Sequence, residues 1–172
     1  MRKLLLSFTF MLLAAPVLAL QPGDEAPAFT LAASDGKSYS LSDFNGKQAV
    51  VIAWYPKAFT KGCTIECKSL AENGHLIRAY DVAYFMASTD EVEDNTKFAA
   101  EQKADFPLLS DPTGEVAKAY GVKMPVLNMA KRVTIYIGKD GKVLKVDSDI
   151  KPATSAEDMA KTLEELGIAK KS

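Results

Sequence analysis

The sequence predicts an α/β layer fold, a sheet with buried central strands and helices packed on it. Three observations carry this expectation. Ala49-Val50-Val51-Ile52-Ala53-Trp54-Tyr55 is a continuous apolar run of strand length, the pattern of a strand covered on both faces. After it, Cys63, Cys67, Leu70, Ala71, Gly74 and Ile77 recur at helical spacing, as the inward face of an amphipathic helix does. The order then continues strand, helix, helix, hairpin, helix, which is the alternation of an α/β protein with parallel strands.

Pro22 and Pro27 mark 20–30 as an extended lead-in, and Phe29-Thr30-Leu31 reads as a short edge strand. Asp35-Gly36-Lys37 is a hairpin turn, with a return strand and turn over 39–44. The buried strand covers 49–55, a loop 56–62 and a helix 63–79. A strand at 81–87 leads through Ser88-Thr89-Asp90 into a helix at 91–103, whose acidic start suits the positive end of a helix dipole. An extended piece at 106–109 precedes a small helix that begins in Ser110-Asp111-Pro112-Thr113 and stops at Gly121. Residues 124–130 form a loop. Strands at 133–137 and 143–146 pair across Gly138-Lys139-Asp140-Gly141, and a last helix spans 155–166 with Gly167 as its stop. The hairpin is expected to close one edge of the sheet.

The first residues set domain organisation. Met1-Arg2-Lys3, an apolar run over 4–15 and then Pro16-Val17-Leu18-Ala19 have the form of a signal peptide with small residues at the cleavage site. Cleavage is expected before Leu20, giving a leader at 1–19 and one domain at 20–172. The run is short for a bilayer span, so no stable span is expected after cleavage, although an uncleaved leader would act as an anchor. The location implied is exported, periplasmic or secreted.

Charge and cysteine usage narrow the function. There are 21 Lys plus Arg against 22 Asp plus Glu, with no basic cluster of the density a nucleic acid needs. The expected partner is small, or another protein. Cys63 and Cys67 are the two cysteines and His75 is the single histidine. Two thiols are too few for a closed zinc site, and a bond between residues four apart would close almost no loop. No metal or other cofactor is implied. Redox chemistry is the better use for this pair.

Cys63 follows a buried strand and falls in the first turn of a helix. Ligands of open α/β sheets meet the carboxyl ends of strands, and free amides at a helix start favour an anion such as a thiolate. Thr60 is placed to cap the helix or to donate to sulfur and a bound oxygen. Pro56 shapes the loop exit, and Lys57, Lys61 and Lys68 add screened positive charge. Peroxide reduction needs a thiolate, donors to the peroxide oxygens and a cation. Arg132, at the start of a strand, is the candidate cation because its guanidinium can fork to two acceptors. Arg78 is the competitor, and Lys131 would point the other way. Trp54, Tyr55 and Phe59 are either an apolar collar or ordinary core and rim residues.

Pro56-Lys57-Ala58-Phe59-Thr60-Lys61-Gly62-Cys63 resembles the active-site pattern of the peroxiredoxin (AhpC/TSA) family. Tyr55-Pro56-Lys57 with Gly62-Cys63-Thr64-Ile65-Glu66 looks most like its bacterioferritin-comigratory (Q-type) branch. The likeness extends from Gly23-Asp24-Glu25-Ala26-Pro27 through Phe106-Pro107-Leu108-Leu109-Ser110-Asp111 and Ala119-Tyr120-Gly121-Val122 to Arg132-Val133-Thr134-Ile135-Tyr136-Ile137. The resemblance implies a thioredoxin-like fold, a central mixed sheet flanked by helices. It also implies a peroxidatic role for Cys63, with Pro56, Thr60 and Arg132 around it and a supporting role for Glu66, which otherwise pairs with a helix lysine. The implied substrates are hydrogen peroxide and organic hydroperoxides. The implied partner is a thioredoxin-like or small-thiol reductant, and the chain is expected as monomer or homodimer.

Two departures stand out. Gly138 occupies a position where relatives carry aspartate, and Cys67 lies four residues after Cys63, where the branch's resolving cysteine lies five after. Cβ atoms four apart on a helix are about 5–6 Å apart, whereas a disulfide wants roughly 3.5–4.5 Å. Either the first turn unwinds and Cys67 resolves, or an outside thiol does and Cys67 is core. The rival function is a thioredoxin-like thiol-disulfide oxidoreductase of the cell envelope, a type that usually shows Cys-x-x-Cys.

Overall fold

A computed structural model describes residues 20–171. The expected leader at 1–19 lies outside the described residues. Seven strands, β1 (Thr30–Ala33), β2 (Ser38–Ser40), β3 (Ala49–Trp54), β4 (Val82–Ser88), β5 (Leu108–Ser110), β6 (Val133–Ile137) and β7 (Val143–Asp147), form one sheet in the order β2-β1-β5-β4-β3-β6-β7. The helices are α1 (Lys61–Arg78), α2 (Val92–Gln102), α3 (Glu115–Ala119) and α4 (Ser155–Glu165). No helix among the described residues is long and apolar enough to cross a membrane.

β3 is buried along its whole length, and its alternation divides the core. Ala49, Val51, Ala53 and then Tyr55 join Cys63, Cys67, Leu70, Ile77, Phe98, Met159 and Leu163 on one face. Val50, Ile52 and Trp54 join Phe29, Leu31, Phe85, Tyr120 and Ile135 on the other. Strands β3, β4 and β5 run parallel, as the sequence predicts. The expected antiparallel hairpin closes one edge, but the expectation of an edge strand at 29–31 needs correction, because β1 is paired on both sides and β2 forms a second antiparallel edge. β6 and β7 extend the β3 side, and the β1–β2 hairpin pairs through β1 with β5. The apolar alternation of Phe29, Leu31 and Ala33 drives this docking, since it turns one face of β1 onto the second core.

Helix α1 starts two residues before the predicted point, with Thr60 as its N-cap in extended conformation (φ −82°, ψ 152°). Its buried face contains Glu66 and Ser69 as well as the expected residues. Gly74 has a packing reason, since a Cβ there would lie 2.6 Å from the Tyr84 hydroxyl and 2.9 Å from Arg78 Nη1. Arg78 turns outward onto Asp105 at 2.7 Å. Ser69 Oγ accepts the Ala156 amide at 3.2 Å and so satisfies a free donor at the start of α4.

The small helix α3 begins later than predicted. Buried Asp111 holds the preceding turn through Thr113 Oγ1 (3.1 Å) and the Ala117 amide (2.8 Å). It ends at Tyr120 and Gly121, whose φ of +69° is the left-handed stop predicted for it.

Candidate active site

Register brings the site together. Val133 of β6 sits opposite Trp54 of β3, so Arg132, one residue before β6, reaches the carboxyl end of β3 where the chain turns into α1. Arg132 Nη2 lies 3.2 Å from Cys63 Sγ. Its Nη1 pairs with Glu66, one helical turn beyond Cys63. The guanidinium therefore forks between sulfur and carboxylate, the geometry a planar cation favours. Arg78 is bound elsewhere, to Asp105 and the Tyr84 hydroxyl, and Lys131 is exposed.

Cys63 is 1% exposed and Glu66 is fully buried. Ser155 Oγ donates to Glu66 Oε1 at 3.5 Å, which ties the start of α4 to the site. Burial pushes the Glu66 carboxyl up to about 7, against the opposing pull of Arg132 and Ser155. Burial also works against the charge on Arg132, but Glu66 and Cys63 outweigh it and its pKa is raised. The helix lysine considered as a partner for Glu66 is replaced by a cation 66 residues away.

A pH prediction follows from Glu66. Its ordinary value of 4.5 rises to about 7 in the fold. Between these values the folded chain keeps a proton that the unfolded chain has released, so this group makes stability fall as pH rises through the window. Denaturant midpoints measured from pH 4.5 to 7.5 should show this slope in the wild type and lose it in Glu66→Gln, on the order of 3 kcal/mol across the window. Parallel curves for the two proteins would refute the assignment.

Thr60 differs from its expected role. Its hydroxyl makes no helix-capping bond and instead donates to the Lys57 carbonyl at 2.9 Å. With its proton committed, the hydroxyl oxygen is left to accept rather than donate. The intrahelical ladder begins with the Thr64 amide bonding back to Thr60 O at 2.9 Å, so the Cys63 amide lies ahead of that ladder, among the free donors of a helix start. Pro56 is half-buried at the exit of β3.

The aromatic residues separate. Trp54 and Tyr55 are core, while Phe59 is 49% exposed on the rim and stands edge-on to Phe98, with ring centroids 5.2 Å apart. Phe59 has φ 63°, a left-handed conformation that costs a non-glycine residue about 1–2 kcal/mol.

Cys67 is fully buried and α1 runs unbroken through it. Burial pushes its thiol up to about 12, with Glu66 and Cys63 adding to the shift. Both thiols are free.

Sequence reasoning did not find Asp90, read there as part of the loop that leads into a helix. It is 2% exposed and lies under the loop, where it accepts the Ala58 amide at 2.9 Å and pairs with Lys57. It also did not find Asn95, which binds the Tyr55 hydroxyl at 2.5 Å and Ser110 Oγ at 2.8 Å. Their only linear signal is polarity at the mouth of a predicted helix.

Residues 22–146 match the AhpC/TSA family. The chain is similar to "Peroxiredoxin Bcp" of Escherichia coli (strain K12), with 36% identity over 138 residues that cover 77% of this chain and 88% of that protein. It is also similar to a putative peroxiredoxin of Haemophilus influenzae, at 34% over 133 residues, or 74% and 85% of the two chains. The solved structure of peroxidoxin BcpB from Mycobacterium tuberculosis superposes with a TM-score of 0.77 at 33% identity and covers 85% of this chain and 97% of its own. The chain accordingly belongs to the AhpC/TSA peroxiredoxin family, close to its Bcp branch, and is a thiol-dependent peroxidase.

Proposed function

We propose that Cys63 is the residue that reduces peroxide, with Arg132, Thr60 and Pro56 around it and Glu66 aiming the arginine. The observation that carries this reading is the fork of Arg132 between Cys63 Sγ, at 3.2 Å, and the Glu66 carboxylate. The Cys63 thiolate attacks the terminal oxygen of R–O–O–H, forming an S–O bond as the O–O bond breaks. The leaving RO⁻ takes a proton and departs as water or an alcohol, and Cys63 is left as a sulfenic acid. The hydroperoxide O–H donates to Thr60 Oγ1, while the Cys63 amide and Arg132 donate to the oxygens that gain charge. Hydrogen peroxide and organic hydroperoxides both present this group.

The sulfenic acid condenses with a second thiol, releasing water, and thiol exchange with a thioredoxin-like or small-thiol reductant restores Cys63. The buried Cys67 thiol, pushed up to about 12 on an unbroken helix, favours an outside thiol as the resolver while α1 stays folded. Resolution by Cys67 requires unwinding the helix past it. Turnover of Cys67→Ser with a small-thiol reductant is expected to be undiminished, with mass spectrometry showing a sulfenic acid or mixed disulfide on Cys63. Lost turnover, with a Cys63–Cys67 disulfide in the wild type, would make Cys67 the resolver.

Residues 1–19 act in this reading as an export leader, supported by their basic start, apolar run and small-residue end. The working domain is 20–172, in the periplasm or secreted. The intact mass in the same experiment tests this, since the exported protein is expected to begin at Leu20.

A further inference from the structure

Asp90 has no part in the chemistry above, yet it is a carboxylate at 2% exposure directly under the Cys63 loop. It meets two consecutive residues of that loop. The Ala58 amide donates to Oδ2 at 2.9 Å, and the Lys57 ammonium pairs with Oδ1. Below, Asp90 is fixed to the sheet. Its own amide donates to Ser88 Oγ at 3.2 Å, and Ser88 Oγ also accepts from Asn95 Nδ2 at 3.1 Å. Asn95 continues to Ser110 Oγ at 2.8 Å and accepts the Tyr55 hydroxyl at 2.5 Å. One buried network thus joins the ends of β3, β4 and β5 to the start of α2, and Asp90 is its link to the loop.

The loop needs such a link. Phe59, next to Ala58, holds a left-handed φ of 63° and is half exposed, and strained backbone of this kind persists only where its surroundings over-determine it. Lys57, Ala58 and Phe59 lead directly into Thr60, the N-cap of α1. The Lys57 carbonyl also receives the Thr60 hydroxyl at 2.9 Å. A shift of this loop would therefore turn Thr60 and move the first turn of α1, which carries Cys63 against Arg132.

We propose that Asp90 is a positioning residue that clamps the loop through Ala58 and Lys57. Clamped, the loop registers Thr60 and Cys63 on Arg132 for reaction with peroxide; released, it opens and admits a bulky thiol-directed molecule to Cys63. The clamp explains how a sulfur at 1% exposure is both shielded and exactingly placed. The proposal rests on Cys63 being the peroxide-reactive thiol.

The test uses the full chain as wild type, Asp90→Asn, Asp90→Ala and Lys57→Met, each checked for folding by near-UV circular dichroism. Two rates are measured: oxidation of Cys63 by hydrogen peroxide in stopped flow, and alkylation of reduced Cys63 by a bulky maleimide, mapped by mass spectrometry. Asparagine keeps an acceptor for the Ala58 amide and loses the charge, whereas alanine loses both. Oxidation should slow roughly tenfold in Asp90→Asn and on the order of a hundredfold in Asp90→Ala, the scale of a displaced reacting group. Alkylation should quicken in the same order.

A general loss of packing would not split the two rates in opposite directions at graded strength. Lys57→Met, altered at a half-exposed side chain, should move both rates the same way by less, and it decides the matter if the Asp90 variants do not fold. Oxidation as fast as wild type in folded variants, or both rates falling together, would overturn the clamp alone. A wild type that is not oxidised at Cys63 would overturn the site assignment and the clamp with it.

Discussion

Cys63→Ser is expected to abolish peroxide reduction while leaving the fold in place. Loss of the nucleophile from a covalent mechanism costs on the order of 10⁶-fold, which takes turnover to background. A serine hydroxyl is not ionised near neutrality and cannot accept an oxygen from peroxide in the way sulfur does. Cys67 does not substitute for it, because burial and its neighbours push that thiol up to about 12 and it is fully buried. The change from sulfur to oxygen is small in volume, so circular dichroism and the unfolding midpoint should stay near wild type. Stopped-flow peroxide consumption checks the prediction. Rapid consumption by Cys63→Ser would remove Cys63 from the centre of the reaction.

Arg132→Met is expected to slow the first step by roughly 10²–10³-fold, the usual loss when one donor to a developing charge is removed. Methionine keeps much of the stem and deletes the fork that joins Cys63 Sγ to Glu66. Stranding a buried carboxylate would ordinarily be severe. Here burial already holds Glu66 up to about 7 even with the arginine present, so without it Glu66 takes up a proton and stays neutral. The domain should therefore remain folded with its catalytic rate lost. An unchanged oxidation rate would take Arg132 out of the site.

Much of the site was readable along the chain because it is local. The apolar run of β3, the loop from Pro56 and the helix carrying Cys63 are consecutive, and their spacing places a thiol at a strand end and a helix start. The left-handed stop at Gly121 and the turn at Gly36 were readable for the same reason, since φ values of +69° and +79° suit glycine. Arg132 was singled out as the candidate cation, but the other pairings across long separations escaped. Glu66 read as the possible partner of a helix lysine, because a sequence shows neighbours on one helix and not a guanidinium arriving from another strand. The β1–β5 pairing escaped as well, because a short alternating strand says which face is apolar and nothing about which edge it joins.

The sequence by itself determined the central strand, the helix that follows it and the placement of Cys63 at their junction, since periodicity and composition act between adjacent residues. Only the tertiary structure decided that Arg132 forks between Cys63 and Glu66, that Thr60 spends its proton on Lys57 O, and that Asp90 is a buried anchor and not an ordinary loop residue. These depend on strand register and burial. Register brings residues 66 and 132 within bonding distance, and removal from water raises the cost of leaving a polar group unpaired.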